Sequence, residues 1–301
     1  MLHRITFEFA VPQPLKFQSF SGFEVRGFFY NVISSLNETL ASSIHEGKAL
    51  APFAVTPVIL HRESQDVVCY DHVSPGLADF SFILFRDSEA RVVEEAIRKG
   101  MSTVKLVDSE LPLTTIRLEQ IDPLSMPKER LSSFALNFYT PTYFRATPID
   151  LAKEYSLNAS VPSPYRFVPL PDPILLFRSL VRTWREFVGI GEGLEEFMSW
   201  VEAGGVLLSG FPGGIFTRRV YEHPMTNKWA VGFVGRANFS FSKRLYYEKM
   251  VETASALLRF GEIVGVGAGR TSGMGRYGLE KGAEGSEEQE GADEQRAQPY
   301  T

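Results

Sequence analysis

The chain has 301 residues, 44% of them hydrophobic, enough for one large domain or two ordinary ones with real cores. It has no run of eighteen apolar residues, no secretory segment at its start and a single cysteine, Cys69. These features argue against a membrane span, an internal disulfide and a cysteine-rich zinc site, and predict a reducing, cytoplasmic setting. The net charge of −5 lies in the tail after Leu279, where seven acids stand against two bases; the remainder holds 29 of each sign and has room for a basic face.

Residues 2–11, LHRITFEFAV, alternate as a strand. From Gly22 to Ile44, Val25, Phe28, Phe29, Val32, Leu36 and Leu40 recur at helical spacing. Asn37 is the expected cap of a second short helix, Glu38 to His45, stopped by Gly47. Strand-like segments follow at 52–60, 66–73 and 78–86, with Cys69 as a small buried residue. A charged helix is expected over 88–100 with Ser88 as its cap, then extended segments at 104–107 and 112–121. The order β-α-β-β-α-β is ferredoxin-like. After a linker at 122–130 the pattern repeats: a strand at 134–139, a Pro-rich stretch at 162–173, helices at 174–188 and 194–203, strands at 205–209, 215–221 and 228–241, and a helix at 243–260. The expected fold class is α+β. Two tandem ferredoxin-like (RRM-like) domains, 1–122 and 131–278, have antiparallel sheets with helices packed on them, followed by a disordered acidic tail at 279–301.

The segment Gly265–Gly278 has six glycines in fourteen residues, with two arginines and a Thr-Ser pair among them. Glycine lets a polyanion's backbone approach main-chain N–H groups, and arginine offers forked donors to phosphate. Spacing excludes a Walker loop, because Arg270 stands where lysine is needed and Val264 where glycine is. A dinucleotide fingerprint fails as well, since the third glycine is misplaced and a helix precedes the segment instead of a strand. Contact with a sugar-phosphate backbone, through Gly269, Arg270, Thr271, Ser272, Gly273, Gly275 and Arg276, is expected over a plain turn.

Four segments together resemble a family: Val25–Ile33 followed by Ile44–Lys48, Phe138–Arg145, Val231–Phe239 and the glycine segment. In that order and spacing the chain resembles the CRISPR-repeat processing endoribonucleases of the RAMP superfamily. The resemblance implies tandem ferredoxin-like domains and binding of CRISPR repeat RNA or its precursor. It also implies metal-independent cleavage by a ribose 2′-hydroxyl, which leaves a 2′,3′-cyclic phosphate; no cofactor and no metal are expected. Tyr30 and His45 fall where the family places a catalytic tyrosine and histidine. The family's lysine position holds Ala51, and Lys48 is the nearest candidate for that role.

Periodicity by itself makes Tyr30 a boundary residue and His45 a helix C-terminal cap, so their catalytic roles rest on the resemblance. Arg178, Arg182 and Arg185 share one helical face and can track phosphates or form a solvated stripe; Arg236 is a further candidate RNA contact. His3, His61, His72 and His223 show no metal-ligand spacing. A catalytically inactive RNA-binding subunit of a CRISPR interference complex is the competing expectation. Subunits of such a complex and a second copy of the chain, as a homodimer, are candidate partners.

Overall fold

The computed structural model describes residues 1–47, 50–146, 166–189, 191–223 and 228–281. In the first half, strand β1 (Leu2–Val11) leads to helices α1 (Ser21–Leu36) and α2 (Glu38–Glu46). Strands β2 (Phe53–Val55), β3 (Ile59–Leu60) and β4 (Gly76–Leu84) follow, then helix α3 (Asp87–Arg98) and strands β5 (Thr103–Leu106) and β6 (Ser109–Ile121). β1 lies antiparallel between β4 and β6, so that Phe7 stands opposite both Phe80 and Ile116. β2 and β3 pair with the outer edge of β4, and β5 with β6. This is the ferredoxin-like strand order.

The second half repeats it. Strand β7 (Ser133–Thr142) leads to helices α4 (Pro173–Phe187) and α5 (Leu194–Trp200). Strands β8 (Val206–Gly210), β9 (Ile215–His223) and β10 (Lys228–Phe241), helix α6 (Glu248–Val264) and strand β11 (Tyr277–Lys281) complete it. β7 is central, antiparallel to β10 and β11, while β8 and β9 share the far edge of β10. No helix among the described residues is long and apolar enough to cross a membrane.

Strand alternation decides what each sheet buries. Ile5, Phe7 and Phe9 face α1 and α3, in a core with Phe28, Phe29, Phe80 and Phe82. Phe134, Phe138, Phe233 and Phe239 do the same against α4 and α6. Two smaller clusters join the halves. Leu2, Ile83 and Phe85 pack on Phe260, Val264 and Phe187, and Phe20 packs with Tyr143, Val220 and Met274.

Four local expectations are corrected. Arg86 is extended, so α3 opens at Asp87; Ser88 lies inside its first turn and donates to Glu89 Oε2 at 2.6 Å instead of capping. The helix expected over 243–260 starts at Glu248, because Tyr247 is extended, and runs on to Val264, because Phe260 and Val264 are buried against the first half. The helix expected over 194–203 ends as a wider turn at Val201–Gly205, where Gly204 is left-handed. Residues 279–281, expected in the tail, are in β11 instead: Leu279 pairs with Leu136 and Lys281 with Phe134. Residues 282–301 and the Pro-rich positions 162–165 lie outside the described residues.

Candidate active site and RNA interface

α1 buries Val25, Phe28, Phe29, Val32 and Ile33 and leaves Arg26, Gly27, Tyr30, Asn31 and Ser34 on its outer side. Asn37 breaks the helix, and its side-chain oxygen accepts from the Leu40 N–H at 2.9 Å to open α2. Ala41 and Ile44 bury the inner face of α2, so His45, in its last turn, is exposed. The break brings His45 to Tyr30: their ring centres are 5.5 Å apart and the planes nearly perpendicular, at 83°. Phe53 supports the tyrosine ring edge-on at 5.8 Å and is itself stacked on Phe29 at 3.9 Å. The Arg26 guanidinium lies 5.6 Å from the Tyr30 ring centre. A phenol, an imidazole and a guanidinium thus meet on one solvent-facing patch held by a rigid aromatic base. The sequence reading missed Arg26, although its i, i+4 spacing to Tyr30 was a usable signal. Lys48 lies outside the described residues, and Ala51 packs against the core.

The glycine segment is folded into the joint between the two halves. Gly269 and Gly273 are left-handed and bracket a short turn, Arg270–Ser272. The Ser272 carbonyl sits where a Cβ on Gly22 of α1 would be, and Gly273 lies against Pro57. Gly275 has φ +75° and its missing Cβ leaves room for the Val266 carbonyl. Gly267 N–H donates to Ser179 Oγ of α4 at 2.8 Å. The arginines turn inward. Arg270 donates to Thr183 Oγ1 at 2.9 Å, and burial, with Arg182 nearby, lowers its guanidinium to about 10. Arg276 is 4% exposed and donates to the Ile263 carbonyl at 2.6 Å, while its Nε has no partner among the described residues. Ser272 is buried; Gly269 and Thr271 are half-buried. The segment therefore docks α1, β7 and α4 together, where the sequence suggested an open phosphate loop.

Three of the other candidate contacts are paired with acids. Arg178 is paired with Glu202 at 2.9 Å, Arg185 with Glu195 at 3.5 Å and Arg236 with Glu280 at 2.9 Å. Arg182 stays exposed on α4 beside buried Arg270. A cleft of about 740 Å³ runs between the polar face of the first sheet and Tyr139, Glu262 and Arg276 of the second half. Its charges are mixed: Arg4 pairs with Glu119 at 3.0 Å, and Arg117 lies 3.6 Å from Asp79. His61 bridges Asp66 at 2.9 Å and Asp79 at 3.1 Å, and the Asp66 hydrogen bond, opposed by some desolvation, raises its pKa. Cys69 is buried, which pushes its thiol up to about 11.

Residues 136–277 match the family described as CRISPR-associated endoribonuclease Cas6. Over this stretch the chain is similar to the Cas6 family. The Cas6-like fold extends over nearly the whole chain. A Cas6 (TTHB231) product complex superposes with a TM-score of 0.70 at 19% identity, over 93% of this chain and 100% of that one. Thermus thermophilus Cas6 (TTHB231) gives 0.63 at 18%, over 93% and 98%. The product of a Cas6-related gene from Pyrococcus furiosus gives 0.57 at 11%, over 96% and 100%. No curated protein matches the sequence. The family match lies in the second half, whereas the Tyr30–His45 pair lies in the first, which the Cas6-like fold also covers.

Proposed function

We propose that the chain binds CRISPR repeat RNA and cuts it as an endoribonuclease, without a metal, to release guide RNAs. The observation that carries this reading is the meeting of Tyr30 and His45 on an open patch of a Cas6-like fold. In the step proposed, the ribose 2′-oxygen attacks the adjacent phosphorus and the bond to the 5′-oxygen breaks. One member of the pair takes the 2′-hydroxyl proton, and the other delivers a proton to the departing 5′-oxygen. The products are a 2′,3′-cyclic phosphate and a 5′-hydroxyl. An imidazole nitrogen can either accept or donate a proton, which suits His45 to either role. Charge building on the equatorial phosphate oxygens needs a cation, and Arg26, over the Tyr30 ring, is placed to supply it. Lys48 remains a candidate for the same task. Arg182, exposed on α4 beside buried Arg270, is the proposed phosphate contact of the second half.

The test is single-turnover cleavage of the repeat RNA in EDTA, with wild type, His45→Ala and Tyr30→Phe, and with a substrate carrying 2′-deoxyribose at the cut. The reading expects one cut site, no cleavage of the deoxy substrate and losses of about 10²–10⁴-fold in His45→Ala. Tight binding without cutting would leave an RNA-binding subunit, and absence of RNA binding would remove both readings.

A further inference from the structure

Gly27 is an exposed glycine inside α1, nine residues before the helix ends. Glycine in a helix interior destabilises it relative to alanine, so it persists where something needs it. The fold supplies no such need. Its backbone is not left-handed, and a Cβ built there would meet nothing within 4 Å. Most of the other described glycines either adopt positive φ or would press a Cβ on a neighbour; Gly210 and Gly278, which do neither, lie on strands. What remains is an approach from outside the chain. Gly27 precedes Tyr30 by three residues, so the two are neighbours on the helix surface. It leaves a bare strip of main chain beside Tyr30, whose ring meets the His45 imidazole and the Arg26 guanidinium.

We propose that Gly27 is a substrate-clearance residue: the RNA backbone at the cut site crosses α1 over Gly27, in van der Waals contact with the helix main chain, and a methyl group there holds the scissile phosphate away from Tyr30 and His45. This rests on the endoribonuclease reading. The prediction has an unusual sign, because the substitution that harms function helps the fold. Gly27→Ala raises the melting temperature, by about 2 °C at the scale of one helix propensity difference. It lowers the single-turnover cutting rate of a labelled synthetic RNA of the repeat by about tenfold to a hundredfold, as expected for a misplacement near 1 Å. Gly27→Val lowers the rate further. Circular dichroism melts and EDTA cleavage assays on the full chain read both effects. If Gly27→Ala cuts at the wild-type rate, the clearance role is wrong while the endoribonuclease reading stands. A lower melting temperature in Gly27→Ala also overturns it, because the missing Cβ would then serve the fold. If wild type itself does not cut, it is the endoribonuclease reading that fails.

Discussion

Replacing Arg270 with methionine should make this protein more stable. Arg270 is buried between Thr183 and Phe85, with no carboxylate paired to it among the described residues. Burial lowers its pKa well below the ordinary guanidinium value, to about 10. At 1.36 kcal/mol per unit, the folded state bears a cost of about 3 kcal/mol to keep the charge. The group is a base with a depressed folded-state pKa, so the whole cost is present below about pH 10 and fades only as pH rises from there towards the ordinary guanidinium value. Arg270→Met removes that cost and keeps most of the volume. It gives up the hydrogen bond to Thr183, worth about 1 kcal/mol. Thr183 is not orphaned, since its hydroxyl still donates to the Ser179 carbonyl at 2.9 Å. The net gain is about 2 kcal/mol, or a rise of roughly 0.7 M in the urea midpoint for a slope near 3 kcal/mol/M. Urea unfolding at pH 7 followed by circular dichroism measures it. A midpoint lower than wild type refutes the reasoning. In a filter-binding assay, the same variant should hold repeat RNA less tightly and show a salt slope shallower by about one if Arg270 supports phosphate contact.

Gly275→Ala should destabilise strongly, since the left-handed conformation adds about 1–2 kcal/mol before the methyl meets the Val266 carbonyl; an unchanged melting curve would contradict the docking role of the segment. Phe85→Ala, at a 4% exposed ring 4.6 Å from Phe187, should cost about 3–5 kcal/mol and loosen the two halves from each other, read as a lower or split urea transition. His61 has carboxylates on both ring nitrogens and a raised pKa, so its contribution to stability is complete below the unfolded-state value and lost as pH rises through the folded one. Stability curves of wild type and His61→Gln should therefore converge above neutrality and separate below it; parallel curves would exclude this linkage. Arg26→Ala should slow cleavage by about 10²-fold with little loss of RNA affinity, and an equal loss in both would make Arg26 a binding group only.

The local pattern was legible wherever the deciding forces act within a few residues. The alternation of Ile5, Phe7 and Phe9 placed β1, the apolar stripe of Val25, Phe29 and Val32 placed α1, and Asn37 was readable as a cap because its bond to Leu40 spans one turn. Boundaries failed where distant partners set them. α6 runs past 260 because Phe260 and Val264 meet Phe85 and Ile83, and β11 holds Lys281 because the edge of β7 was free to pair.

The same division separates the candidate site from the glycine segment. The residue types of Tyr30 and His45 stood in the sequence, but their 5.5 Å approach depends on how α2 packs on α1, which spacing does not encode. The glycine segment kept its chemistry in sequence and lost its setting. Composition suggested an exposed phosphate loop, whereas its neighbours are Gly22, Pro57 and Thr183, brought there by the docking of two sheets. Short-range hydrogen bonds and hydrophobic periodicity thus wrote the elements into the chain. Burial of Arg270, exposure of Gly27 and the company of Tyr30 arise only once surfaces far apart in sequence exclude water from one another.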